Sequence, residues 1–209
     1  MPETIQIGRD FFNLPTLEVA RSVLGKRLVR LEDGRRIAGI IVEAEAYRGE
    51  EDQGCHAKAG LTPRTRVMYG LPGHAYVYFT YGMHWMLNFV TEPQGFPAAV
   101  LIRALKPVEG IETIASRREG RPPAQWTDGP GKICQALGID RRLNGADMCL
   151  PGAELFLEDG PAIPDSSVTI TPRVGLNTVP EPWKSIPWRF VFTHPPTSAF
   201  KGEGGAGEI

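Results

Sequence analysis

The sequence predicts a single α+β domain: a curved, mostly antiparallel sheet with short helices packed around it and one protruding β-hairpin. Three observations predict it. Strand-like apolar and β-branched runs recur along the chain. Asp33-Gly34 and Tyr81-Gly82 stand between such runs and read as hairpin turns, which pair strands antiparallel. Finally, 24 glycines and 19 prolines in 209 residues break the chain into short elements, at a length that fits one domain.

In order, Thr16 fits a helix N-cap and Gly25 a stop. Residues 17–24 then read as a short helix with an apolar stripe at Leu17, Val19, Ala20, Val23 and Leu24. Residues 26–31 alternate as a strand, Asp33-Gly34 turns it, and the return strand runs through apolar 37–41 into 42–47. From 48 to 71 periodicity disappears, and this polar stretch reads as a long ordered loop of a length usually tied to function or disorder. Residues 75–80 form an aromatic strand, Tyr81-Gly82 turns it, and 83–90 returns. Residues 98–105 form an apolar strand carrying Arg103. Pro107 then opens a helix over 108–118. Asp128-Gly129-Pro130-Gly131-Lys132 starts another that ends near Leu137, at Gly138. Strands are expected at 154–157, 168–171 and 188–192. Residues 196–209 are Gly-rich and expected to be flexible, leaving 1–195 as the domain.

Composition, 42% apolar and 22% charged, is that of a globular protein. No apolar stretch reaches the length of a membrane span, and the first residues lack a basic region followed by an apolar one. The expectation is a cytoplasmic protein with no membrane contact. Cys55, Cys134 and Cys149 are too scattered for a disulfide framework and form no Cys-x-x-Cys pair. Cys55 and His56, even with Glu45 and Asp52, fall short of a four-ligand set, so no metal is expected. A formal net charge of −1 weighs against a chain wrapped in nucleic acid but allows one basic face. Glu50-Glu51-Asp52 and the tail would balance it.

Residues 42–47 read Val-Glu-Ala-Glu-Ala-Tyr. Strand alternation puts Glu43, Glu45 and Tyr47 on one face and the small residues on the other. Two readings stay open here: a solvated strand face, or a catalytic carboxylate beside an aromatic wall. Acid Glu45, tyrosines 47, 76, 78 and 81, and arginines 64, 66 and 103 are together the ingredients for holding a base out of a stack. A packed core is the simpler account of Tyr76 and Tyr78 taken alone. Tyr81 sits at a hairpin tip, where a large ring suggests a contact surface. Arg103 in an apolar strand needs a partner, which Glu45, Glu43 or a phosphate would supply. Gly131 and Lys132 open a helix that is either structural or a phosphate site.

Seven segments share one order and spacing: residues 42–47; His56; Thr62-Pro63-Arg64-Thr65-Arg66; Pro72-Gly73; Tyr76 to Met83 with Asn88; Leu101-Ile102-Arg103-Ala104-Leu105; and Gly129 to Leu137. On these the chain, from 24 to 191, resembles the alkyladenine (3-methyladenine) DNA glycosylase family. The resemblance implies a monofunctional enzyme of base excision, with duplex DNA holding a damaged purine as partner, no cofactor, and action as a monomer, on the nucleoid if the source is prokaryotic. It makes Glu45 the general base that activates water, with Arg103 holding that water or a phosphate. Tyr47, His56 and Tyr78 would sandwich the flipped base, Asn88 would obstruct the guanine 2-amino group, and Tyr81 would intercalate. Arg64, Arg66, Gly131 and Lys132 are expected on the DNA backbone. His74 and His84 match no family role; their place near the hairpin could make binding rise as pH falls.

Two rivals remain. A carbohydrate hydrolase could use Glu43 and Glu45, roughly 7 Å apart by strand rise, yet it leaves Tyr81 and the arginine loop unexplained. A silent nucleic-acid-binding module leaves Glu45 facing phosphates for no gain.

Overall fold

The computed structural model describes residues 5–193. The expected tail 196–209 lies outside the described residues, as do both ends of the expected domain. The sheet is organised on β2, Arg35–Arg48, whose apolar first half is buried. One edge of β2 is shared. Its first half pairs with β1, Arg27–Glu32, and residues Glu43–Glu45 pair with β8, Arg189–Phe192. The other edge pairs with β5, Ala98–Glu109. Beyond β5 lie β4, His84–Val90, and β3, Ala75–Thr80; beyond β1 lies β6, Leu155–Glu158, while β7, Val168–Thr171, pairs with β8. These pairings are antiparallel, as the hairpin signals predict.

Alternation along the strands sorts the buried side chains into separate clusters, two of which bear on the site. Ala46, Val77, Phe89 and Val100 enter the main core with α2, Thr16–Ser22, and α4, Pro130–Leu137. Their neighbours Tyr47, Tyr76, Val90 and Ala99 face the other way and meet Cys55, Ala57 and Met68 from the long loop. That loop is ordered, with 3₁₀ turns at His56–Ala59 and Arg66–Tyr69. Thr65 ties it together, its Oγ1 donating to Gly60 O at 2.7 Å and accepting from Thr62 N–H at 2.8 Å. Among the described residues no helix is long and apolar enough to cross a membrane.

Some boundaries differ from expectation. Pro107 does not open a helix. β5 runs through it to Glu109, pairing Pro107 with Gly39 beside a register shift, a place where a residue without an N–H is tolerated. The helix α3, Ile111–Arg117, starts only after Gly110, whose φ is +67°. Thr16 is not a cap but the first residue of α2. Its N–H and hydroxyl both donate to Glu92 Oε1, at 3.1 and 2.8 Å, so a carboxylate from a distant loop caps this helix. A further single turn, α1, Arg9–Phe12, is too short to show periodicity in sequence.

A Cβ on Gly110 would meet Arg36 O at 2.9 Å and Ile37 Cα at 3.0 Å, both backbone, in addition to the positive φ. Gly120 has φ +73° but open space around it. Gly110→Ala should therefore cost at least about 2 kcal/mol in a urea titration, and Gly120→Ala about 1 kcal/mol. Equal midpoint shifts would show that the contact with β2 carries no weight.

Candidate active site

β2 turns its alanines, 44 and 46, into the main core, and so turns Glu43, Glu45 and Tyr47 to the opposite face. There the long loop packs against Tyr47, and Val174 meets Glu45. Glu45 is 0% exposed, which excludes the solvated-face reading. A buried carboxylate needs donors, and it has three. Oε1 accepts from the Val174 N–H at 2.7 Å. Oε2 accepts from the Tyr47 hydroxyl at 2.8 Å and from Arg103 Nη1 at 3.3 Å. Burial pushes the carboxyl pKa above its ordinary value, and Arg103, the Val174 N–H and Tyr47 pull against that rise.

Arg103 reaches its acids through an irregularity in the ladder. Ile41 pairs with Leu105, Glu43 with Ala104 and Ala44 with Ile102, so Val42 and Arg103 have no cross-strand partner. Freed in this way, Arg103 donates Nε to Glu43 Oε1 at 3.0 Å as well as Nη1 to Glu45. Of the partners open to it in sequence, both acids are engaged. Glu43 also accepts from Arg189 Nε at 2.7 Å.

A cavity of about 310 Å³, within the range of small-molecule sites, is lined by the three residues that bond Glu45, namely Tyr47, Arg103 and Val174, with Glu45 itself behind them. Tyr47, His56, Tyr78, Asn88 and Arg103 all line it, so the sequence-selected residues do converge. Arg64 Nη2 lies 3.4 Å from His56 Nε2, and an arginine only donates, so Nε2 accepts. This network assigns the proton to Nδ1, which lies 3.0 Å from the Tyr76 hydroxyl. Burial, then Arg64 and Lys58, lower the His56 pKa to about 4. The ring meets Tyr78 edge-on at 4.5 Å. Burial also raises the pKa values of Tyr47 and Tyr78, so near pH 7 these three rings are neutral. Asn88 is fixed by its Nδ2 donating to Tyr76 O at 3.1 Å. Cys55, buried, has its thiol pushed up to about 12 and offers no nucleophile.

Tyr81 lies at the cavity mouth, 80% exposed, with φ +52° and Gly82 after it at +67°. Consecutive positive values suit a tight hairpin turn, but the left-handed region costs a tyrosine about 1 kcal/mol. Phe79 and Met83 are exposed beside it, giving an apolar tip that sequence reading limited to Tyr81.

Arg64 and Arg66 are exposed on the loop, with the Arg64 guanidinium 5.2 Å over the Tyr78 ring. Gly131 packs against His84, and Lys132 donates to Asp128 at 2.7 Å. Beside them a cleft of about 490 Å³ is lined by cations Arg117, Arg118, Arg121 and Lys132, and by His84. Buried Arg118 donates to Gln135 Oε1, and its Nε has no partner among the described residues. Tyr76, set aside in sequence as core, both packs in the second cluster and lines the cavity. The Val174 N–H left no trace in sequence, because a backbone donor has no residue signature.

A model of the methylpurine-DNA glycosylase family matches residues 10–196. A protein of Methanocella arvoryzae, provisionally named 3-methyladenine DNA glycosylase, is 51% identical over 95% of this chain and 98% of its own length. Proteins bearing the same provisional name in Chlorobaculum parvum and Myxococcus xanthus are 45% and 48% identical, over 91% and 88% of this chain and 89% and 88% of their own lengths.

Because the folded pKa of His56 lies below its unfolded value near 6.5, the unfolded chain binds more protons between about pH 4 and 6.5. Stability from this residue is present above pH 6.5 and lost as pH falls toward 4. An NMR titration should show the His56 ring still neutral at pH 5.5, and His56→Asn should flatten the stability slope in that window. A ring that titrates near 6.5 would contradict the buried, arginine-facing geometry.

Proposed function

The chain belongs to the methylpurine-DNA glycosylase family, and from that membership we propose that it is a monofunctional 3-methyladenine DNA glycosylase, a hydrolase of N-glycosyl bonds in damaged duplex DNA. The observation that carries the reading is Glu45: a dry carboxylate, held by three donors, directly behind Tyr47, Arg103 and Val174 on the wall of an aromatic cavity with an apolar hairpin at its mouth.

In this proposal a damaged purine leaves the duplex and enters the cavity. Ionised Glu45 takes a proton from a water whose oxygen bonds to the sugar C1′. The C1′–N bond breaks and its electrons leave with the base. The carboxylate also stabilises the oxocarbenium-like charge on the sugar. Arg103 holds Glu45 in place and offers its remaining donors to the water or a phosphate. Neutral Tyr47, His56 and Tyr78 enclose the base, and tyrosine faces attract a cationic alkylated purine. Asn88 meets the edge where guanine carries its 2-amino group. Tyr81 fills the gap in the duplex. Arg64, Arg66, Lys132, the Gly131 backbone and the cationic cleft beside it face the phosphates. The product is an abasic site on an unbroken strand, and the enzyme works as a monomer in the cytoplasm. 3-Methyladenine, 7-methylguanine, hypoxanthine and ethenoadenine all suit an aromatic slot.

Glu43 bears against a paired-acid sugar hydrolase, since two arginines already occupy it. The test is a duplex holding one 3-methyladenine or hypoxanthine. We expect strand scission only after heat and alkali, and, for Tyr81→Ala, capture of the flipped base weaker by about 1–3 kcal/mol with the fold unchanged. A protein that binds but releases no base, or a Tyr81→Ala variant equal to the parent on paired duplex, would overturn the respective parts.

A further inference from the structure

Glu45 depends on a backbone N–H from Val174, and that segment, residues 172–176, has no regular secondary structure to hold it. What holds it is the preceding residue. The Arg173 side chain is fully buried. It makes a two-pronged pair with Asp52, Nη1 to Oδ2 at 2.5 Å and Nη2 to Oδ1 at 2.8 Å. Nη1 also donates to Ala46 O, at 3.0 Å, between the two active-site residues of β2; Nη2 reaches Trp183 O at 3.3 Å. The planar guanidinium lies 4.6 Å from the Tyr47 ring centre and 5.2 Å from that of Trp188. Asp52 is in turn built into the long loop, accepting from the Gly54 N–H at 2.9 Å and the Arg48 N–H at 3.3 Å. Gly54 completes the fit: a Cβ there would meet Arg173 Nη2 and Leu176 Cδ1, each at 2.8 Å.

We infer that Arg173 is a positioning residue, which with Asp52 locks the 172–176 segment to β2 and so holds the Val174 N–H on Glu45 and Tyr47 in place behind the cavity. The inference rests on the reading of Glu45 as the base. Arg173 does not touch Glu45. One guanidinium spans the strand, the loop and the segment that together form the back of the site. A lysine would keep the charge opposite Asp52 but has neither the fork nor the flat face that these partners need.

The groups facing Glu45 are Arg103 from β5, Tyr47 and Glu43 on its own strand, Tyr78 from β3, Arg189 opposite it on β8, and the Val174 N–H. The Val174 N–H and Tyr47 are the two that depend on the clamp directly. An N–H bonded to the charged carboxylate holds its pKa down, so loosening the segment moves that pKa further up.

The test uses Arg173→Lys and, as a smaller push that keeps both charges, Gly54→Ala. Both are checked for folding by thermal melting. The substrate is a 7-methylguanine duplex. That base already carries a positive charge, so the acid limb of the single-turnover rate reports the base catalyst alone. For Arg173→Lys we expect a loss of about a hundredfold at neutral pH, an acid limb about one pH unit higher, and lesion binding within about twofold of the parent. Amide exchange at Val174 should speed up in both variants, a readout that needs no catalysis. A folded Arg173→Lys protein with Val174 protection unchanged overturns the clamp. So does a uniform fall in rate with an unmoved limb, which marks a merely structural role. A parent protein without any excision, or with excision that survives loss of the Glu45 carboxylate, overturns the reading of the base and leaves the exchange result to judge the clamp.

Discussion

A carboxylate without solvent organises this molecule. Taking an ionised group out of water costs several kcal/mol even after relaxation, and Glu45 is fully buried. The surrounding architecture supplies what water no longer does. β2 brings the Tyr47 hydroxyl, β5 brings Arg103 through a break in register, and the segment before β8 brings a backbone N–H. These donors offset the burial only in part, since the pKa remains raised. The sign follows from linkage: a folded pKa above the unfolded one contributes stability with the carboxyl protonated, lost as pH rises through the raised value. The ionised form of Glu45 thus weighs against the fold.

The same dryness sets the character of the cavity. Burial holds Tyr47 and Tyr78 protonated, and burial with nearby cations holds His56 unprotonated. The rings therefore present neutral faces and edges to the cavity, while Arg103 brings charge to one wall, backed by Glu43 and Glu45. A positively charged purine would find no repelling imidazolium inside. Exposed Arg64, over Tyr78, adds to burial in keeping His56 neutral.

Much of this was legible in residue order, for identifiable reasons. Period-two alternation at 43, 45 and 47 survives because the alanines between them must pack in the core. The hairpin is legible because Tyr81-Gly82 is turn chemistry between β-formers. Pro107 misled because its local preference for a helix start was overridden by pairing with Gly39, and the true signal was Gly110, where β2 comes too close for a side chain. Thr16 misled because the cap comes from Glu92, far along the chain. The clamp of Arg173 and Asp52 joins loops 121 residues apart. No periodicity spans such a distance, and neither residue stands in a motif.

The central claim is that Glu45 takes a proton from water. Glu45→Gln keeps the shape and one acceptor oxygen, enough for either Arg103 and Tyr47 or Val174, but cannot accept that proton. Measured by single-turnover release of a damaged purine from duplex DNA, with lesion binding followed in parallel, excision should fall at least about a hundredfold while binding holds or tightens slightly. Glu43→Gln in the same assay should cost stability more than rate per folded molecule. A Glu45→Gln protein that releases the base at near-parental rate would contradict the account, as would an inactive but folded Glu43→Gln protein beside an active Glu45→Gln one.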